Sequence, residues 1–89
     1  PSTTRDVTYI MDQGVSVGDA LAILRANKPT ACESIILCGV YQKPGHDEVN
    51  VSFRMIYQDN EGSLEMAKVN AIHKTFAEEV VQKLPCRFP

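Results

Sequence analysis

The sequence predicts an α+β sandwich in which a four-stranded antiparallel sheet carries two helices on one face. The period of the apolar residues changes along the chain between two, typical of strands, and three to four, typical of helices. The predicted elements follow in the order β-α-β-β-α-β, which commonly closes into this two-layer structure. The chain has 89 residues, of which 44% are hydrophobic and 22% charged. This size and composition predict one globular domain covering residues 1–89.

The first strand and the first helix are predicted from the N-terminal third of the chain. Apolar and polar residues alternate over Arg5–Met11, and Gly14 then interrupts the strand pattern. Ser16 is the predicted N-cap of the helix, and Pro29 prevents its continuation. The apolar stripe of this helix is formed by Val17, Ala20, Leu21 and Leu24.

The second and third strands are predicted to form an antiparallel hairpin. The segment Ile35–Tyr41 is almost entirely apolar, which favours a central strand covered on at least one face. Gly39 within it predicts a bulge. The Pro-Gly turn at Lys43–Glu48 leads into Val49–Gln58, where one face is apolar and the other mostly polar. The core-facing residues of this third strand are predicted to be Val51, Phe53, Met55 and Tyr57.

A long second helix and a short terminal strand complete the predicted order. A turn is expected at 59–62, with Ser63 as the cap of the helix. Pro85 ends the helix, and the segment 86–88 forms the last strand. The apolar stripe of the helix is formed by Met66, Val69, Ile72, Phe76, Val80 and Leu84. The architecture is the one called ferredoxin-like, a name that implies no iron–sulfur cluster here.

The cysteines and the apolar segments indicate a reducing, cytoplasmic environment. Cys32, Cys38 and Cys86 are odd in number and form no CxxC motif, which argues against disulfides, structural zinc and iron–sulfur clusters. Cys32 and Cys38 belong to an apolar run, where a free thiol behaves as a small hydrophobe. No apolar run approaches the roughly 20 residues that span a bilayer. The start at Pro1 is typical of a trimmed chain or of an excised fragment.

Catalytic motifs are missing from the sequence, so we expect no enzyme, no cofactor and no metal. There is no Gly-rich phosphate loop, no HExxH motif and no local nucleophile–base set. The segment His46–Glu48 offers metal ligands, but a solvated turn is the favoured interpretation. His73 borders the apolar stripe of the second helix and is expected to be a packed or rim residue.

The polar face of the sheet is the better candidate for function. Asn50, Ser52, Arg54 and Gln58 share the outer phase of the third strand, and Arg87 and Arg5 are expected to join them. The guanidinium group of arginine can donate two parallel hydrogen bonds to a phosphate, while amides and hydroxyls can bind sugars and base edges. A polar outer face is also what any exposed sheet requires. The third strand carries no outward aromatic residue, so recognition would depend on phosphate contacts and shape.

Five segments in register resemble one family. They are Pro1–Val7, Leu37–Tyr41, Val49–Gln58, Ser63–His73 and Cys86–Phe88. Each is similar to the corresponding segment of the ferredoxin-fold anticodon-binding domain, which lies at the C-terminus of phenylalanine–tRNA ligases. Each motif alone is weak, but the five together cover essentially the whole chain in the right order.

This resemblance implies a non-catalytic module that binds the anticodon stem-loop of phenylalanine tRNA. The ATP-dependent aminoacylation would lie elsewhere in a synthetase, whose remaining parts are the expected partners. Arg54 and Arg87 would contact phosphate and Ser52 a sugar or base. Arg5 and Asp6 would be mainly structural, as an internal ion pair, and Tyr41 would be a packing or hydrogen-bonding strut. The expected RNA-binding set is Arg5, Asn50, Ser52, Arg54 and Arg87, to which the polar face of the sheet contributes Asn50 and Arg5.

The alternative hypothesis is a protein-interaction module that has no RNA ligand. Its motivation is the net charge of −2, since domains that bind nucleic acid by themselves are usually basic. The apolar Ile56 on the otherwise polar face points the same way. Such a module would pair with a partner, or with a second copy, through the open sheet or an edge strand.

Overall fold

The computed structural model describes residues 2–58 and 64–89 and shows the predicted ferredoxin-like fold. The four strands form one antiparallel sheet in the order β2-β3-β1-β4, so the two central strands are β3 and β1. The predicted turn at 59–62 and the predicted cap Ser63 lie outside the described residues. The elements are β1 (Ser2–Met11), α1 (Val17–Ala26), β2 (Cys32–Gln42), β3 (Val49–Gln58), α2 (Met66–Lys83) and β4 (Cys86–Arg87).

The core lies between the two helices and one face of the central strands. Val7 lies opposite Phe53, and Tyr9 lies opposite Val51. The apolar side chains of the two strands therefore face the core side by side. The hydroxyl of Tyr9 donates a 2.7 Å hydrogen bond to the carbonyl oxygen of Ala77 on α2. The predicted inward face of β3 is confirmed, since its members are fully buried: Val51, Phe53, Met55 and Tyr57.

The ends of the helices follow the sequence in part. Ser16 caps α1, because its hydroxyl accepts a hydrogen bond from the backbone N–H of Asp19 at 3.3 Å. In α2, however, the prediction that Met66 belongs to the buried stripe is wrong, because its side chain is 56% exposed. Met66 is the first residue of that helix, at the rim of the core, where its sulfur contacts the guanidinium of Arg5. Ala77 takes a buried position instead.

Strand β2 is an edge strand, and the prediction that Ile35–Tyr41 forms a central strand is wrong. Because β3 pairs with β1 on its other side, β2 is left with one unpaired edge. Cys32 is buried at its start, but β2 is exposed from Ile36 to its end. The bulge predicted at Gly39 is confirmed by a shift in the β2–β3 register between Leu37 and Gly39.

The three cysteines are free thiols in different environments. Cys32 is buried, and burial raises the pKa of its thiol. Cys86 is half-buried. Cys38 is exposed, so its expected role as a small hydrophobe is wrong, because it occupies the bulge of the edge strand. Over 2–58 and 64–89, no helix is long and apolar enough to cross a membrane.

His73 is packed against the sheet, as its position beside the apolar stripe predicted. Its Nδ1 is 2.7 Å from the hydroxyl of Tyr57, and the two rings meet edge to face. Burial lowers the pKa of His73 below its ordinary value of 6.5, and the nearby Arg5 also lowers it. A hydrogen bond to the backbone of Asp6 acts in the opposite direction. The folded protein therefore favours the neutral imidazole.

This packing predicts a loss of stability in weak acid. Well above pH 6.5 the imidazole is neutral in both states, so His73 adds no pH dependence there. As the pH falls below 6.5, the unfolded chain binds the proton more readily, and the free energy of unfolding decreases until the folded pKa is passed. Urea titrations across this range will measure the decrease. His73→Gln should lack it, whereas His46→Gln, a change in an exposed turn, should keep it. An unchanged decrease in His73→Gln would assign it to another group.

Candidate nucleic-acid interface

The open face, by which we mean the sheet face away from the helices, carries a row of paired side chains along β1 and β3. The register places Asp6 opposite Arg54, Thr8 opposite Ser52, and Ile10 opposite Asn50. On the other side of β1, Ile10 lies opposite Arg87 of β4. These pairs alternate with the core pairs, because side chains in a strand point to opposite faces in turn. Burial of the core therefore sets the position of this polar row.

Arg54 is held at one end of the row by a bidentate ion pair. Its Nε and Nη2 donate to the two carboxylate oxygens of Asp6 at 2.8 and 3.0 Å. The hydrogen bond from Arg54 lowers the pKa of Asp6, and the same bond raises the pKa of Arg54. Both side chains are about half exposed, so the pair contributes little to stability. Its effect is to orient the guanidinium.

Arg87 is held at the other end in the same way. Its Nη1 and Nη2 donate to the two carboxylate oxygens of Glu48, at the end of the β2–β3 turn. The hydrogen bond from Arg87 lowers the pKa of Glu48. A guanidinium has five N–H donors, so Arg54 and Arg87 each keep three for an external acceptor. Each arginine charge is nevertheless partly balanced by its carboxylate.

The middle of the row offers small polar groups. The hydroxyls of Thr8 and Ser52 are 2.8 Å apart and hydrogen-bonded, and either can be the donor. Asn50 is exposed next to them, with Tyr41 of β2 as its cross-strand neighbour. A hydroxyl pair and an amide can donate and accept, which suits sugars and base edges.

Tyr41 adds an aromatic ring to the open face. The sequence predicts a packing or hydrogen-bonding strut at Tyr41, and the packing role is wrong, because the residue is 60% exposed. Its pairing with Asn50 on the edge strand directs it away from the core. It helps to line a cavity of about 170 Å³ whose other lining residues are Ile10, Lys43, His46, Glu48 and Asn50. The open face therefore combines paired arginines, small polar groups and one exposed ring.

Residues 1–88 match the family described as the ferredoxin-fold anticodon binding domain. The chain belongs to this family. It is 33% identical over 88 residues to the phenylalanine–tRNA ligase beta subunit of Nitratidesulfovibrio vulgaris, covering 98% of this chain and 11% of the relative. It is 34% identical over 86 residues to the beta subunit of Nitrosospira multiformis, covering 94% and 10%. A Drosophila melanogaster protein named "Probable phenylalanine--tRNA ligase, mitochondrial" is 30% identical over 87 residues, covering 91% and 19%.

The chain spans about a tenth of the length of these bacterial relatives. The match thus covers the ferredoxin-fold anticodon-binding domain and leaves most of each relative outside it.

Arg5 lies on the other side of this ferredoxin-fold domain from the other predicted site residues. It is in phase with Val7, so it faces the helices, where its Nε donates a 3.0 Å hydrogen bond to Asn70. Its expected place on the open face is therefore wrong. The expected ion pair between Arg5 and Asp6 is also wrong, because consecutive residues of a strand point to opposite faces. Asp6 pairs with Arg54 instead.

Three residues of this face, Tyr41, Lys43 and Glu48, are not among those that the sequence predicts. The apolar run around Tyr41 predicts a central strand, where neighbouring strands on both sides would cover more of an outward ring. The segment of Glu48 predicts a solvated turn, and nothing in it indicates that Glu48 meets Arg87. Lys43 is the residue of these three that local sequence could have predicted for the site. It directly precedes the Pro-Gly turn, so its charge is expected to be exposed beside the open face.

Proposed function

We propose that this chain is the anticodon-binding domain of a phenylalanine–tRNA ligase beta subunit, and that its open face contacts the anticodon stem-loop of phenylalanine tRNA. The observation that carries the proposal is the pair of oriented arginines, each with free donors, on the open face of a member of this family. Phosphate contacts position a nucleic acid, and arginine is well suited to make them.

Each residue of the open face has a proposed role. Arg54 and Arg87 bind phosphate groups at the two ends of the polar row. Ser52 reaches a ribose or base, and Asn50 reads a base edge. Tyr41 provides the surface on which an unstacked base of the loop packs, since loops are recognised largely through bases splayed onto aromatic rings.

The proposed domain is a binding module without catalytic groups or a cofactor of its own. Aminoacylation would be carried out by another part of the same synthetase, and this part is its proposed protein partner. The proposed location is the cytoplasm, where a bacterial-type synthetase meets its tRNA.

The proposal is tested by measuring the affinity of this chain for phenylalanine tRNA and for an unrelated tRNA, at low and at moderate salt. We expect tighter binding to phenylalanine tRNA, weakening as salt rises because phosphate contacts release counterions. Equal affinity for both tRNAs would show that the interface does not select phenylalanine tRNA. No binding to either at high protein concentration would contradict the proposal.

The second candidate function is a protein-interaction module of the same fold that has lost its RNA ligand. The observation that favours it is the balance of charge on the open face, where Asp6 and Glu48 offset the two arginines in a chain of net charge −2. This candidate predicts that neither tRNA binds, so the same measurement separates the two functions.

Replacing Tyr41 by alanine is expected to weaken tRNA binding about tenfold, because stacking a base on an aromatic ring is worth roughly 1–3 kcal/mol. Tyr41→Phe keeps the ring and should bind within about twofold of the original protein. Stability should hardly change in either variant, since the side chain is exposed. Fluorescence anisotropy with a labelled anticodon stem-loop will measure both affinities. Equal affinities for the alanine and phenylalanine variants would remove Tyr41 from the site.

A further inference from the structure

The free edge of β2 lacks most of the features that usually protect an edge strand, the exception being its bulge at Cys38. From Ser34 to Gln42 there is no charged residue and no proline. No other strand among residues 2–58 and 64–89 pairs with this edge. Natural edge strands are normally short, charged or covered, because their free N–H and C=O groups invite another strand. β2 has 11 residues, so it is long, and it carries no charge over residues 34–42.

The same strand exposes apolar side chains on both faces of the sheet. Ile36 and Tyr41 lie on the open face, where they neighbour Arg54 and Asn50 of β3. Leu37 and Val40 neighbour core residues of β3 and so face the helix side, yet both are exposed. A partner that covered one face would leave the other in water. A strand added along the edge shields both faces together.

The bulge at Cys38 makes β2 complementary to itself. In an antiparallel pair of two copies, residues directly opposite each other must lie on the same face. The bulge adds one residue to β2 between Leu37 and Gly39. Beyond it, the side chains that face each side of the sheet are therefore shifted by one position in the sequence. With the two-fold axis between Cys38 and Gly39, Ile36 lies opposite Tyr41 of the second copy on the open face. In the same register, Leu37 lies opposite Val40 of the second copy on the helix side.

Charges at the two ends of the strand support this register. Glu33 precedes the uncharged stretch and Lys43 follows it. In the antiparallel arrangement, Lys43, which directly follows β2, lies opposite Ser34 of the other copy and one position from its Glu33. Opposite charges thus come near each other at both ends of the strand pair, while a parallel arrangement would place like charges together. Two-fold symmetry of this kind is the commonest form of homo-oligomer.

From these observations we propose that the β2 edge is an interface between two copies of this chain, paired antiparallel about the bulge. The two sheets become one continuous sheet whose open faces lie on the same side. A single pair of strands buries less surface than a standard interface of roughly 1,200–2,000 Å². The association is therefore weak, with a dissociation constant on the order of 10–100 μM.

Sedimentation velocity of the 89-residue chain over a range of concentrations tests the proposal without RNA. We expect a monomer–dimer equilibrium that resists high salt. Val40→Lys should weaken it at least tenfold, because a charge would be buried against Leu37 of the second copy. Met66→Lys is the matched control, since Met66 is equally exposed but lies on α2 (56% against 52%), and it should dimerise like the original chain. Circular dichroism will show that both variants are folded.

Disulfide trapping then tests the register. In a Cys38→Ser background, Leu37→Cys with Val40→Cys should give a covalent dimer under mild oxidation. Within one chain these two positions are roughly 10 Å apart along the strand, too far for a disulfide. Leu37→Cys with Gln42→Cys, which the register does not place opposite each other, should cross-link much more slowly. A monomer at all concentrations, a dimer insensitive to Val40→Lys, or equal cross-linking of both pairs would overturn the proposal.

Discussion

Replacing Phe53 by alanine is expected to lower the free energy of unfolding by about 3–5 kcal/mol, the usual cost of removing a large buried ring. Phe53 is fully buried in the middle of β3, opposite Val7 and edge to face with Tyr9. A domain of this size is stable by only about 5–15 kcal/mol, so the variant should be close to unfolding. Urea denaturation followed by circular dichroism will measure the change.

Ile36→Ala provides the control for this prediction. Ile36 lies in the neighbouring strand β2 but is exposed, so its removal should change stability by roughly 0.5 kcal/mol or less. A loss of less than 1 kcal/mol in Phe53→Ala would show that the sheet and helices are not packed about this ring. The effect also concerns function, because Ser52 and Arg54 flank Phe53. A slip of β3 by one residue would turn both of them from the open face to the helix side.

The local pattern of β3 was enough to predict both faces of the sheet. Strict alternation over Val49–Gln58 identified the buried side chains and the polar ones correctly, because the side-chain period of a strand depends on the backbone alone. Capping by Ser16 and the bulge near Gly39 were also predictable from local sequence. Each depends on residues close together in the sequence.

The features that local sequence could not predict depend on strand order and register. An apolar run such as Ile35–Tyr41 suits a central strand, but it suits equally an edge strand with an unprotected apolar surface. The position of β2 at the edge, and with it the exposure of Tyr41, follows from the pairing of β3 with β1. The ion pair of Asp6 with Arg54 joins residues 48 positions apart. Such contacts exist only once the register is set.

Replacing both Arg54 and Arg87 by alanine is expected to weaken binding of phenylalanine tRNA about tenfold or more at low salt. Each substitution removes one proposed phosphate contact. The slope of log affinity against log salt concentration should therefore become shallower by about 1.4–1.8. Filter binding or anisotropy at several salt concentrations will measure this slope. The fold should be intact, because both ion pairs are exposed and add little to stability.

The double variant Arg25→Ala with Lys74→Ala separates a specific site from a general effect of charge. It removes the same amount of positive charge from exposed positions on the two helices, away from the open face. If tRNA lies on the open face, this control should keep most of the affinity at 0.1 M salt, where charges beyond roughly 10 Å are largely screened, and the comparison of the two double variants is made at that concentration. Equal losses in the two double variants would mean that RNA responds only to net charge. Unchanged tRNA binding in the variant that lacks Arg54 and Arg87 would mean that the RNA binds elsewhere. The two guanidinium groups would then only form ion pairs with their carboxylate partners.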